Sequence, residues 1–321
     1  MARPRDGSAL AADGRIRRRL IAAGGMLIAT SSLLIAAAGA SAYVYWSSYD
    51  SNDSKVGRAN LDGSNVKPGL VKGIYYGAGV ASDGKHVFWG ESGSNPTMAT
   101  IGRATIGGRK VNHAYRNAAT YCGVFGVRAT ADDLFWLKST CSPGTEAIDR
   151  APKSNPSGAY TEPGAGSYVC GFDVDAKHVY WSESHYIARA PIDVGHANHR
   201  WLDVGSGRAP CAVAVNGGHV YWTNSEPAVN FRGTTIGRAK IDGSESSVRN
   251  SFIKGATFNT GVSSPSGIAV DRKHVYWTNQ PAVGKVYGSI GRATLGGKRV
   301  DQAFVPHVFD PFSLDVDGKG P

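Results

Sequence analysis

The chain has 321 residues, of which 42 are glycine and 15 proline, with 19% charged residues and a formal net charge of +10. It is too apolar for a disordered tail and too rich in glycine for a helical bundle, which leaves strands and turns. At roughly 150 residues per domain the length suggests two domains, yet all-β folds of this size often form a single unit.

Residues 1–42 read as a secretory leader. Arg3, Arg5, Arg15, Arg17, Arg18 and Arg19 make a positive n-region, an uncharged stretch runs from Leu20 to Ala42, and Ala40-Ser41-Ala42 offers a small-residue cleavage site before Tyr43. An uncleaved anchor is the alternative, because an uncharged stretch of this length can span a bilayer. Arg17-Arg18-Arg19 also admits a twin-arginine export signal. Of the 35 basic and 25 acidic residues, six arginines and two aspartates fall in this segment, leaving 29 and 23, a balance of +6. No run of five like charges occurs, so nucleic acid is not an expected partner. Membrane contact is expected only through the N-terminal segment, if it stays attached. The rest of the chain is expected to be secreted or held at the cell surface.

A repeat follows. Tryptophan recurs at Trp46, Trp89, Trp136, Trp181, Trp222 and Trp277, each time in a phrase such as His86-Val87-Phe88-Trp89 or His274-Val275-Tyr276-Trp277. A second phrase follows each tryptophan, as in Val56-Gly57-Arg58-Ala59, Ile148-Asp149-Arg150-Ala151 and Ile290-Gly291-Arg292-Ala293. Self-similarity at 40 to 50 residues marks a propeller or a solenoid. Each unit reads as four short strands, with Asp62-Gly63, Gly107-Gly108, Asp242-Gly243 and Gly296-Gly297 as hairpin turns that need positive φ. Six such units predict an all-β, six-bladed β-propeller over residues 43–321. The C-terminal Phe312-Ser313-Leu314-Asp315-Val316-Asp317 matches an inner strand with no tryptophan phrase after it, and the chain from Tyr43 begins with that missing phrase. The last strand is therefore expected to complete the first blade and close the ring.

Asp271…Val275-Tyr276-Trp277-Thr278-Asn279…Ile290-Gly291-Arg292-Ala293 resembles the YWTD repeat of the LDL-receptor class B propellers, as does Ile236-Gly237-Arg238-Ala239-Lys240-Ile241-Asp242-Gly243-Ser244. The resemblance covers nearly all of the chain from Tyr43 and implies the six-bladed fold, in a form like a secreted bacterial stand-alone relative. It departs at the fourth motif position, where Ser48, Glu91, Lys138, Glu183, Asn224 and Asn279 replace the family's Asp. Receptor function does not carry over, since no EGF-like or ligand-binding cysteine modules flank the repeats.

Most repeat-periodic residues read as scaffold. The Tyr-Trp pairs suit packing between blades. Arg58, Arg103, Arg150, Arg189, Arg238 and Arg292 suit carbonyl or carboxylate partners between blades better than an anion site. His86, His178, His219 and His274 share one turn as capping or stacking groups. His196 and His199 form a lone H-x-x-H without the further ligands a metal would require.

Departures from the repeat carry more. The inner-strand slot two residues before the turn holds Ala81, Ala214 and Ala269 in three blades, but Arg128, Asp173 and Asp315 in the others. In a central channel these three could hold a cation, with Ca²⁺ the natural choice for oxygen ligands, or an acidic ligand. The competing reading is a buried Arg128–Asp173 ion pair between neighbouring blades, which leaves Asp315 unexplained. The four cysteines predict two disulfides, Cys122–Cys141 and Cys170–Cys211, on one face. That face also carries the longest insertions, residues 225–232 and 280–287.

No nucleophile elbow, Walker loop, dinucleotide fingerprint or H-E-x-x-H appears. The expected function is an exported, non-catalytic binding propeller that recognises a protein or glycan through its loop face. The alternative is a metal-dependent lactonase- or esterase-like propeller with its site in the channel, which rests on fold analogy plus Asp173 and Asp315.

Overall fold

The computed structural model describes residues 42–50, 53–92, 99–118, 123–139, 146–155, 160–161, 169–193, 196–206, 208–216, 218–225, 235–254, 265–282 and 284–318. These form six four-stranded antiparallel sheets, the blades of a propeller. From its inner edge outward, blade 1 consists of Pro311–Val316, Tyr43–Ser48, Ser54–Asn60 and Lys67–Ile74. Blade 2 is Ala78–Ser82, His86–Glu91, Thr100–Thr105 and Asn112–Asn117, and blade 3 is Gly123–Ala129, Asp133–Ser139, Ala147–Pro152 and Tyr160–Thr161. Blade 4 is Phe172–Val174, His178–Glu183, Tyr186–Pro191 and Asn198–Asp203. Blade 5 is Ala209–Asn216, His219–Ser225, Thr235–Lys240 and Arg249–Lys254, and blade 6 is Pro265–Val270, His274–Asn279, Tyr287–Thr294 and Asp301–Phe309. Neighbouring inner strands pack in sequence around the ring, and those of blades 6 and 1 complete it.

Closure occurs as the sequence predicts. Val44 pairs with Val316, Tyr45 with Asp315 and Trp46 with Leu314. The Asp317 N–H donates to the Tyr43 carbonyl at 2.9 Å, and the Tyr43 N–H returns to Asp317 Oδ2 at 3.0 Å.

Alternation along the second strand builds the core. Successive residues of a strand point to opposite faces, so the aromatic before each tryptophan faces one neighbouring blade and the tryptophan faces the other. Tyr276 of blade 6 therefore shares a buried cluster with Trp46 of blade 1, Tyr45 with Trp89, Phe88 with Trp136, Phe135 with Trp181, Tyr180 with Trp222, and Tyr221 with Trp277. The hydrophobic core is six such clusters between blades.

A second periodic device clasps the blades at their outer half. Arg292 of blade 6 lies 4.0 Å over the ring of Phe304 in its own fourth strand, and its Nη1 donates to the Leu61 carbonyl of blade 1 at 2.8 Å. Arg238 of blade 5 repeats this over Phe252 and to Leu295 of blade 6 at 2.9 Å. Arg58 reaches Ile106 and Arg150 reaches Ile192 in the same sense, each in the next blade. The hairpin glycine of that next blade covers the ring: a Cβ on Gly63 would meet Phe304, and one on Gly297 would meet Phe252.

The hairpins differ from the tight two-residue form that Gly-Gly and Asp-Gly suggest. Of each pair only the second residue has positive φ, +89° at Gly63 and +77° at Gly108. The Gly108 N–H donates to the Thr105 carbonyl and the Thr105 N–H to the Arg109 carbonyl, a three-residue loop closed by a left-handed glycine. The glycine is thus fixed twice, by its φ and by the adjacent blade.

Candidate functional site

Arg128, Asp173 and Asp315 occupy one structural slot, as their spacing predicts. They pair across the strand with Phe135, Tyr180 and Tyr45, just as Ala81, Ala214 and Ala269 pair with Phe88, Tyr221 and Tyr276. That register puts all six side chains on the face their blade turns to the next one. Arg128 Nε donates to Asp173 Oδ1 at 2.9 Å, and Asp173 Oδ2 accepts the Val215 N–H of blade 5 at 2.9 Å. Asp315 Oδ2 accepts the Ser82 N–H of blade 2 at 2.7 Å. All three residues are buried. Each carboxylate thus meets a backbone N–H of the neighbouring inner strand, which has one edge outside its sheet ladder, and the Arg128–Asp173–Val215 chain links blades 3, 4 and 5.

The turns beside this slot are built by aspartates. Asp83, Asp175 and Asp271 each accept the N–H groups of the residues two and three positions on at 2.6–2.9 Å, ending at His86, His178 and His274. The second oxygen receives a tyrosine hydroxyl, Tyr180 at 2.8 Å and Tyr276 at 3.0 Å. Burial, together with the facing carboxylate, pushes both phenols above their ordinary range. Phe88 has no hydroxyl, and there Lys153 of blade 3 donates to Asp83 Oδ2 at 2.8 Å.

In four blades the fourth motif position accepts the indole N–H of its tryptophan despite its varied chemistry; in the other two Ser48 accepts the Lys55 N–H and Lys138 pairs with Asp149. Trp89 and Trp181 donate their indole N–H to Glu91 and Glu183, and Trp222 and Trp277 donate to Asn224 and Asn279. Where the acceptor is Glu, a histidine of the fourth strand meets it: His113 to Glu91 at 2.6 Å and His199 to Glu183 at 2.8 Å. Where it is Asn, the amide instead reaches Asn250 O or Gln302. His199 of the H-x-x-H therefore pairs with Glu183, while His196 is exposed. Among the described residues no three His, Cys, Asp or Glu side chains gather as a metal site.

Cys170 and Cys211 are joined by a disulfide with Cα atoms 4.7 Å apart, between blades 4 and 5. The expected Cys122–Cys141 pair lies outside the described residues, as do residues 226–232 of the first insertion. Among the described residues no helix is long and apolar enough to cross a membrane.

The connections from second to third strands and from blade to blade emerge on one face, here the loop face. Among the described residues the exposed aromatics are Tyr49, Tyr75, Phe125 and Tyr287, and all four lie on it. Among the described residues the opposite face exposes only single valines of this size class, Val66, Val111 and Val300 at the hairpins. Three of the four gather where blades 6, 1 and 2 meet. Tyr49 packs on Tyr76 with ring centroids 6.0 Å apart and on Phe312 at 5.9 Å, and Tyr75 crosses Tyr76 edge-on at 4.7 Å. Tyr287 crosses Phe309 at 5.9 Å, and the intervening Asp310 ties the two groups, donating to the Val286 carbonyl and accepting from the Tyr49 N–H at 3.0 Å each. The repeat reading passed over this cluster. Its signal was present in the sequence: Tyr49, Tyr75, Tyr76 and Tyr287 fall outside the repeated phrases.

The sequence matches no protein-family model and no curated protein. The fold is similar to solved structures. One is a chain from the crystal structure of a nidogen/laminin complex, with a TM-score of 0.61 at 14% identity, covering 87% of this chain and all of that one. Another is TolB from Acinetobacter baumannii, with a TM-score of 0.59 at 10% identity, covering 87% of this chain and 67% of that one. At these identities the likeness shows the propeller fold.

Proposed function

We propose that the protein is an exported, non-catalytic propeller of the YWTD kind that binds a protein partner through its loop face. The observation that carries this reading is the segregation of exposed aromatics: all four described ones lie on the loop face. Large exposed tyrosines supply contact area at low conformational cost, and clustered apolar surface on a soluble ring marks an interaction site. The Cys170–Cys211 disulfide supports export, since such bonds persist in oxidising compartments. A structural neighbour taken from a two-protein complex is in keeping with it. The buried roles of Arg128, Asp173 and Asp315 fit a scaffold.

Affinity enrichment from the exported fraction of the source organism tests this. The wild-type ring should retain a protein that is lost with Tyr49→Ser/Tyr75→Ser/Tyr287→Ser and kept with Arg109→Ser/Lys110→Ser/Lys298→Ser/Arg299→Ser on the opposite face. Retention of a glycan alone, or the reverse dependence on the two faces, would overturn the reading. The metal-dependent hydrolase alternative requires convergent oxygen ligands, for which Ca²⁺ is the expected ion. A site filled a hundredfold above its Kd raises stability by about 2.7 kcal/mol. The binding reading predicts the same unfolding midpoint in excess chelator and in millimolar Ca²⁺.

A further inference from the structure

Two carboxylates stand among the clustered rings where blades 6, 1 and 2 meet. Asp50 directly follows Tyr49, and its position is fixed: its N–H donates to Ser54 Oγ at 2.9 Å, Ser54 Oγ returns to its carbonyl at 2.7 Å, and the Asp53 N–H reaches Asp50 Oδ1 at 3.3 Å. Asp310 is half-buried beside it, and among the described residues no hydrogen-bond donor or cation meets its carboxylate. Burial, then the negative charge of Asp50, pushes the Asp310 carboxyl above its ordinary range. The Tyr49 phenol is in turn raised by burial and by the neighbouring Tyr76 and Asp310. Two residues of the same cluster, Tyr76 and Asp310, sit at positive φ of 43° and 27°. Non-glycine residues hold such conformations only when their surroundings enforce them.

We infer that this seam docks a positively charged arginine or lysine side chain of the protein partner. The inference rests on the binding reading above. A guanidinium or ammonium group can lie on the exposed faces of Tyr49 and Tyr75 while donating to the carboxylates of Asp50 and Asp310. It would supply a countercharge to the half-buried Asp310 carboxylate, which neither a sugar hydroxyl nor an apolar side chain can do. The rings leave too few oxygens for a hard metal ion, which takes six or more. The patch is also acidic in a chain that is otherwise basic, so a cationic partner group is steered to it and away from the rest of the surface.

The test is a titration of the protein carrying ¹³C at the tyrosine ring ε positions. The probe is N-acetyl-arginine amide, with N-acetyl-citrulline amide as the neutral compound of the same shape. The arginine probe should shift the Tyr49, Tyr75 and Tyr76 resonances saturably, and citrulline should bind about tenfold more weakly or less. Asp50→Asn/Asp310→Asn should erase that preference while leaving the thermal midpoint and circular dichroism unchanged; asparagine tolerates the positive φ at 310. Equal shifts from both probes, no shift from either, or a preference that survives the double substitution would overturn the inference. If the probe fails while partner capture still depends on the loop-face tyrosines, this inference falls and the binding reading stands. If capture fails too, both fall.

Discussion

Gly237 leaves no room for a methyl group, because a Cβ there would overlap the Trp222 ring, and the same holds at Gly57, Gly102 and Gly291 against their tryptophans. The two blades without this glycine show the available adjustments: Ala188 pairs opposite Trp181, and Asp149 opposite Trp136, where Lys138 meets Asp149 at 2.8 Å in a buried ion pair. A methyl group is thus accommodated in one blade, and Gly237→Ala should cost about 1–3 kcal/mol, read as a lower denaturant midpoint with unchanged slope. Three histidines contribute to acid sensitivity. Burial pushes His178, His219 and His274 below their ordinary value, with nearby cations such as Arg189, Arg238 and Arg292 adding to it. Their folded-state preference for the neutral ring stabilises the protein above about pH 6.5 and is lost as pH falls below that value, since the unfolded chain then binds more protons. Thermal midpoints should drop between pH 7 and 5, and the triple His→Gln variant should show a shallower drop. Asp317, raised by burial and by Asp315, opposes this, because protonating it favours the folded state at pH values just above 3.8.

The Arg292 and Arg238 clasps each join three parts of the sequence that only the fold brings together: the arginine phrase, the fourth-strand aromatic and the next hairpin glycine. The periodicity of the arginines made an inter-blade role legible, and the carbonyl partners Leu61, Leu295, Ile106 and Ile192 lie in the next blade. The inner-strand slot was also legible as a slot. What the sequence could not give was its direction, because a blade stands edge-on to the channel and its side chains alternate towards the two neighbouring blades. Arg128 and Asp173 consequently meet each other across blades 3 and 4. Tyr49, Tyr75 and Tyr76 were not legible for the opposite reason: they obey no period, and the packing of Tyr49 on Phe312 depends on closure between residues at opposite ends of the chain. Arg292→Met removes a charge-assisted bond and a ring contact and should cost about 1–3 kcal/mol. At about 2–4 °C per kcal/mol for a protein of this size, calorimetry resolves it.

The ring as a whole depends on the strand Pro311–Val316, which fills the inner place of blade 1. Deleting it uncovers the edge of Tyr43–Ser48 and removes the Asp315 bond to blade 2, so the truncated protein should aggregate on size-exclusion chromatography. The Cys170–Cys211 bridge closes a loop of 41 residues, for which chain entropy allows about 4 kcal/mol. Reduction should lower the midpoint by a corresponding amount without opening the ring. These interactions divide the molecule into residues in repeat slots that hold the blades and off-repeat residues exposed on the loop face, where the proposed partner would bind. The thermal midpoint of Asp173→Ala, compared with that of Tyr75→Ser/Tyr287→Ser, tests that division most directly. Removing Asp173 strands the buried Arg128 guanidinium and should cost about 3–5 kcal/mol, whereas the two exposed tyrosines should cost about 1 kcal/mol or less. An Asp173→Ala protein as stable as the wild type, or more so, would mean that the carboxylate is kept for a ligand, contradicting its place in the scaffold.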